Sequence, residues 1–293
     1  MSDVKRMKTG IVILNYNDSE TTINLIRHIK GFFSLSKIVV VDNASTDDSY
    51  NRLQNQSEEY GFDLIGASRN GGYASGNNVG ARYLIEKCQC EIVVIANPDI
   101  LFEEELLISI VDNFMKHPDY ALLSGVMCDP KGNIDRAPYR NLNSYTYDLA
   151  DCFAIGRYLH KKKKYPAVIG SGISPVEVIQ GSLWAIRSDV LKEIDYLDEG
   201  TFLYYEEMIL GHKLKSYGYK SGLVGIPFYH YHAVSITKSI KKVNAWKIHL
   251  KSKCYYERTC NCVNGIKYFI PKLFCFLSII EKYILAFIQD ARS

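Results

Sequence analysis

Three apolar, β-branched runs each stop in a polar cluster: "GIVILNYN" at 10–17, "KIVVVDNAS" at 37–45 and "EIVVIANPDI" at 91–100. Runs this uniformly apolar are buried on both faces, which a parallel sheet covered by helices provides. The intervening segments agree. "SETTINLIRHIKGF" has apolar residues at helical spacing with Ser19 placed to cap it, and "STDDSYNRLQN" opens a helix on capping residues and early acids. "FDLIGA" reads as a weaker third strand. The expectation is an α/β chain with a Rossmann-like, mostly parallel central sheet flanked by helices. Such sheets place ligand sites at the carboxyl ends of their strands.

Those ends carry Asn15-Tyr16-Asn17, Asp42-Asn43 and Asn97-Pro98-Asp99. Each alone suits a turn; three on one sheet edge point to a shared ligand. No GxGxxG follows the first strand and no Walker A loop is present, so a dinucleotide fingerprint is excluded. Asp42 can accept from ribose hydroxyls or a base edge, and Asp99 can hold a divalent cation, Mg2+ or Mn2+, that neutralises a diphosphate. The stretch "YASGNNVGARYLI" at 73–85 sets two glycines and adjacent asparagines against a helical apolar pattern. That suits a backbone that turns sharply and presents amides, with Asn77 able to cap a helix running from Val79.

Composition excludes several classes. A formal charge of +3 over 293 residues does not suit a dedicated nucleic-acid binder. The start "MSDVKRMKTG" lacks the apolar core of a signal peptide, so the expected location is the cytosol, with reduced cysteines. Cys254, Cys260 and Cys262 lack CxxC spacing and read as small buried residues rather than zinc ligands. No apolar run reaches the roughly 20 residues of a membrane span.

"IVILNYN", "VVVDNASTDDS", "NGGYASGNNVGAR", "VVIANPDI", "GSLWAIRS" and "FLYYEEMILGHKLKSYGYK" occur in the order seen in family 2 glycosyltransferases. From about residue 10 to 235 the chain resembles their rhamnosyltransferase-like branch, which builds bacterial surface polysaccharides. The resemblance implies a GT-A fold, a nucleotide-sugar donor, a divalent metal and inversion at the anomeric carbon. It implies that Asn15 and Asn17 line the base, that Asp42 and Asn43 lie at the nucleoside, and that Asn70, Gly72 and Asn77 lie beside the donor nucleotide. Asp99 matches the last acid of the family's Asp-x-Asp, whose first position is Asn97 here, leaving one carboxylate fewer on the metal. In "YHYHAVS" the further metal ligand is His230, with His232 as the alternative. Trp184 is either an apolar face under a sugar ring or a core residue.

Glu206 and Glu207 open an amphipathic helix, where acids complement the helix dipole in any protein. The family usually has Glu-Asp at this point, the second acid being the general base. Glu207 is one methylene longer and keeps that chemistry; Glu206 would orient the loop.

The segment 136–176 matches no common family segment, and its run Lys161 to Lys164 is either a solvated charge run or part of an acceptor loop. The tail "GIKYFIPKLFCFLSIIEKYILAFIQD", interrupted by Pro271, suits an interfacial or packed helix. The expected organisation is a GT-A unit over 1–238, split into a nucleotide-binding half (1–100) and an acceptor and catalytic half (101–238), with a helical extension over 239–293. The expected reaction moves a sugar from a UDP- or dTDP-sugar, dTDP-rhamnose among them, to a polyprenyl-diphosphate-linked oligosaccharide for capsule, O-antigen or cell wall. The expected site of action is the inner face of the cell membrane. The rivals are an inactive sugar-binding or scaffold subunit and a sugar nucleotidyltransferase; the latter needs a glycine-rich basic loop that "NYNDSETT" lacks.

Overall fold

The computed structural model describes residues 7–134, 139–161, 172–231 and 242–290; His232 and Lys162 to Lys164 lie outside them. The first half alternates as expected: β1 (Thr9–Asn15), α1 (Ser19–Ile29), β2 (Lys37–Asp42), α2 (Ser49–Tyr60), β3 (Asp63–Gly66), α3 (Tyr73–Arg82) and β4 (Ile92–Ala96). These strands pair in parallel in the order β3-β2-β1-β4, with Asn15 in register with Asp42. Ile11, Val39 and Ile92 are fully buried, which is why the runs lack polar alternation.

Beyond β4 come β5 (Ile100–Leu101), α4 (Glu104–Lys116), β6 (Tyr120–Cys128), β7 (Tyr139–Arg140), α5 (Tyr145–Asp151), α6 (Ala154–Lys161), β8 (Ser174–Val176), β9 (Val178–Ile179), β10 (Leu183–Arg187), α7 (Ser188–Glu193), α8 (Glu206–Ser216) and β11 (Lys220–His230). Here the mostly parallel expectation needs correction. β10 runs antiparallel between β4 and β6, and β11 lies parallel to β6 but antiparallel to β5 and β8. A strand buried on both faces reads the same in either direction, so composition cannot report β10's orientation.

Two local expectations also change. Asp18, not Ser19, is the N-cap of α1; Ser19 is inside the first turn and buried. α3 begins at Tyr73 behind Gly72, so Asn77 is an interior helix residue rather than a cap for a helix from Val79. The glycines of α3 serve packing. A Cβ on Gly80 would lie 2.5 Å from Val12 Cγ1, and one on Gly76 would overlap Leu14, so their absence lets the helix press onto β1.

The chain ends in α9 (Lys242–Thr259) and α10 (Ile266–Asp290). Pro271 does not break α10. A proline frees the carbonyl four residues earlier, and that carbonyl, Lys267 O, accepts the Tyr145 hydroxyl at 3.0 Å. The expectation that Cys254, Cys260 and Cys262 are small buried residues needs correction: Cys254 and Cys260 are half-buried and Cys262 is exposed, and Cys254 Sγ lies 3.3 Å from Cys275 Sγ. Among the described residues no helix is long and apolar enough to cross a membrane.

Candidate active site

The carboxyl ends of β1, β2 and β4 share one edge of the sheet, and their polar residues hydrogen-bond to one another. Asp42 is 2% exposed. Its Oδ1 accepts from the Asn15 amide at 2.8 Å and the Ser45 hydroxyl at 2.6 Å, and its Oδ2 from the Ser45 backbone at 2.9 Å. Thr22 Oγ1 donates to Asn15 Oδ1 at 3.0 Å, which fixes the amide's orientation. Asn17, in the left-handed region at φ 54°, accepts from the Thr46 backbone at 2.7 Å. Asp42 therefore braces the loops that follow β1 and β2.

Asn43 extends this edge towards α3. Its amide donates to Asn70 Oδ1 at 3.0 Å and to Gly72 O at 3.2 Å, and Gly72 N closes back onto Asn70 Oδ1. Gly72 has φ 93°, and a Cβ there would collide with Phe202 O, so the position needs glycine twice over. Asn43 Oδ1 and Asn77 Oδ1 are buried without a donor among the described residues, which marks this corner as polar and incompletely satisfied. Asn78 instead clamps a neighbouring loop through Leu197 N, Leu197 O and Glu199.

At the end of β4, Asn97 N donates to Ser182 O at 2.9 Å, leaving its side chain half-buried at the edge. Asp99 follows, and β11 pairs with β5 so that His230 stands opposite Ile100. His230 Nε2 lies 3.2 Å from Asp99 Oδ1, both side chains no more than 10% exposed. Two ligands bonded at about 2.1 Å and at right angles on one cation stand about 3 Å apart. One carboxylate oxygen, the donor that suits Mg2+ or Mn2+, and one imidazole nitrogen make up a partial donor set for a divalent cation. Among the described residues no group of three or more His, Cys, Asp or Glu side chains could hold a metal.

Trp184 takes the second of the two readings left open for it, a core residue. It is fully buried, donates from its indole to Ile179 O at 3.0 Å and meets Tyr73 edge-on at 5.9 Å, so it supports the edge from within and offers no face to a sugar.

α8 brings in the acid pair. Tyr204 and Tyr205 hold φ 72° and 71°, an uncommon left-handed pair that turns the chain sharply before Glu206. Tyr73 N donates to Phe202 O at 3.0 Å, tying this turn to the start of α3. Glu206 is 8% exposed, with Oε1 lacking a donor among the described residues. Burial, then the adjacent Glu207, pushes it up to about 8, so it keeps its proton at neutral pH. Glu207 is only half-buried and is the more accessible carboxyl. Enclosure, then the charges of Glu206 and Glu207, raises the Tyr73 hydroxyl well above its usual range. That couples the pair electrostatically to the glycine corner.

Sequence reasoning missed the support behind this turn. The Tyr205 hydroxyl donates to Asp148 Oδ1 at 2.9 Å, and Asn143 donates to the same oxygen at 2.7 Å. Glu257 of α9 packs its carboxyl against Asp148; burial, then that contact, pushes it up to about 8. Lys253, 1% exposed, donates to Asp148 O and Asp151 Oδ2. These residues lie 48 or more positions from Tyr205, and no local pattern announces them.

Comparison with known proteins fits this geometry. The family model described as glycosyl transferase family 2 matches residues 10–194. The low-salt glycan biosynthesis hexosyltransferase Agl10 of Haloferax volcanii is 27% identical over 202 residues, covering 68% of this chain and 59% of its own length. The chain thus spans less than two thirds of that relative. Among solved structures, GalNAc-T7 with UDP, GalNAc and Mn2+ superposes with TM-score 0.59 at 13% identity, over 80% of this chain and 45% of that one. The mannosyltransferase PcManGT of Pyrobaculum calidifontis, in complex with GDP-Man and Mn2+, gives 0.57 at 14%, over 94% and 70%. Likeness at these identities shows the fold, which is GT-A-like.

Proposed function

The chain belongs to glycosyl transferase family 2, and we propose that it transfers a sugar from a nucleotide-diphosphate sugar to a hydroxyl of a glycan acceptor, with inversion. The observation that carries the reading is the Asp99–His230 pair, 3.2 Å apart at the end of β4 on the same edge as the Asn15, Asp42 and Asn43 cluster. Nucleoside recognition falls to Asn17 and Asn43; Asn15, 0% exposed with its amide engaged by Asp42, Ser45 and Thr22, belongs with Asp42 to the frame that holds them, which corrects the expectation that it lines the base. Asn70, Gly72 and Asn77 flank the diphosphate, with Asn97 beside it. A divalent cation held by Asp99 and His230 would offset the charge on the diphosphate as it leaves.

Glu207, the more accessible acid, takes the proton from the acceptor hydroxyl. The oxygen attacks the anomeric carbon from the face opposite the nucleotide. The bond from that carbon to the diphosphate oxygen breaks, and the nucleoside diphosphate carries away the electron pair. One displacement inverts the centre and needs no enzyme nucleophile. Glu206, neutral at pH 7, presents a hydroxyl donor rather than a second negative charge. In this reading residues 1–238 are the transfer unit and 239–293 a helical extension. The donor is a UDP- or dTDP-sugar, and the acceptor is a lipid-linked oligosaccharide of surface-polysaccharide synthesis in the rhamnosyltransferase-like branch, used at the inner face of the membrane.

The test is release of nucleoside diphosphate from UDP-, dTDP- and GDP-sugars with and without Mn2+. Metal-dependent turnover of one donor class is the expected result. No release from any of them, from folded protein, would contradict transfer and favour a binding subunit.

A further inference from the structure

α10 has two apolar faces, and only one is covered. Cys275 and Ser278 face the protein, with Ser278 accepting from Trp246 of α9 at 3.1 Å. On the other side Phe269, Leu273, Phe276, Ile280, Tyr283 and Ile284 are 40–65% exposed. At helical spacing these six fall within one stripe, and their span of 15 residues is about 22 Å. A stripe this long exceeds the scattered exposed apolar residues of ordinary surfaces.

Beside the stripe lies a groove between α9 and α10 of about 650 Å³. Lys247, Lys251, Arg258 and Lys272 line it, with Phe276 shared between groove and stripe, and none of the lining residues is acidic. Asp198, near its wall, is occupied by the Tyr255 hydroxyl at 2.9 Å. From 242 to 290 the chain has eight Lys and Arg against three Asp and Glu, a surplus of five, whereas the whole protein has +3. The rest of the chain is therefore slightly acidic, and the positive charge concentrates where the apolar stripe is.

We propose that α9 and α10 form a docking face for an anionic lipid surface. The stripe seats among the acyl chains, and the groove receives a lipid headgroup phosphate on Lys251, Arg258 and Lys272. An apolar face flanked by cations is the pattern that binds in the plane of a charged interface. A single small ligand would leave most of a 22 Å stripe in water. Gly200 also lines the groove, packed against the Tyr255 ring, and it leads directly into the turn before Glu206. A lipid-linked acceptor would thus approach the acid pair from the membrane side. That part rests on the transfer reading; the docking does not.

The experiment is co-sedimentation of the full chain with phosphatidylcholine vesicles, with and without phosphatidylglycerol. Nucleotide-sugar turnover is measured separately in solution with a soluble acceptor. Wild type is expected to bind the phosphatidylglycerol vesicles, and to release with added salt. The triple variant Lys251→Glu/Arg258→Glu/Lys272→Glu should lose on the order of 100-fold in partitioning, from about 1 kcal/mol for each basic residue. Phe269→Asp/Phe276→Asp should lose binding with an unchanged melting temperature, since both rings are exposed. Equal binding to neutral vesicles, retained binding by the triple variant, or a dimer in sedimentation velocity that Phe276→Asp dissolves would each overturn the proposal. Failure of turnover with intact vesicle binding would strike the transfer reading alone.

Discussion

The Tyr205 hydroxyl donates to Asp148 Oδ1 at 2.9 Å, so the residue that precedes the acid pair is held by a carboxyl from α5. Tyr205 keeps a left-handed conformation that a non-glycine residue adopts only under constraint. Tyr205→Phe removes one of the two hydrogen bonds to Asp148 Oδ1 and leaves the one from Asn143. The expected loss is about 0.5–1.5 kcal/mol in urea unfolding. A lowered kcat with little change in donor Kd is expected beside it, because α8 shifts while the nucleoside edge does not. An unchanged kcat would show that the turn holds without this bond.

Glu206 and Glu257 are both pushed up to about 8 from an ordinary 4.5. Between these values the folded chain binds more protons than the unfolded one, so stability is fully present at low pH and falls as pH rises towards 8. The slope is about 1.4 kcal/mol per pH unit for each such proton. Melting temperatures taken from pH 5 to 8.5 should decline, and Glu257→Gln should flatten the curve. A wild-type curve that rises across this window would contradict the burial argument.

His230→Asn keeps a polar side chain beside Asp99 while removing the imidazole ligand. Calorimetric titration of Mn2+ in the presence of a nucleoside diphosphate should show affinity weakened by at least the roughly 10-fold that follows loss of a supporting residue. Unchanged Mn2+ affinity would remove His230 from the metal site and return attention to His232.

The close seat of α3 on β1 makes Gly80→Ala a packing test. Alanine favours the helix by about 1 kcal/mol, but its methyl would lie 2.5 Å from Val12 Cγ1. Overpacking of this kind costs about 1–3 kcal/mol, so net destabilisation is expected in urea unfolding. A stabilised variant would mean that Val12 has room to move.

The strands were legible because β1, β2 and β4 are buried on both faces and end in amides and acids, a pattern that survives in one dimension. Asp99, His230 and Glu207 were legible as candidates only through the family resemblance. The residues by themselves do not show that His230 meets Asp99, because the contact depends on β11 pairing with β5 across 131 residues. Trp184 was ambiguous, since an aromatic ring on an apolar strand looks alike whether it lines a cleft or fills a core. The support of Tyr205 by Asp148 and Glu257 was hidden for a further reason. Buried acids are recognisable only by what surrounds them, and α5 and α9 lie far from α8 in the chain.

The most direct test of sugar transfer with Glu207 as base is the rate of transfer from the active nucleotide sugar for wild type, Glu207→Gln and Glu206→Gln, measured against pH. Glu207→Gln should lose roughly 10²- to 10⁴-fold in kcat at near-constant donor Kd. Glu206→Gln keeps a neutral, hydrogen-bonding side chain and should lose far less, with a flatter alkaline limb. Full activity in Glu207→Gln beside a dead Glu206→Gln would contradict the assignment and move the base to the buried acid.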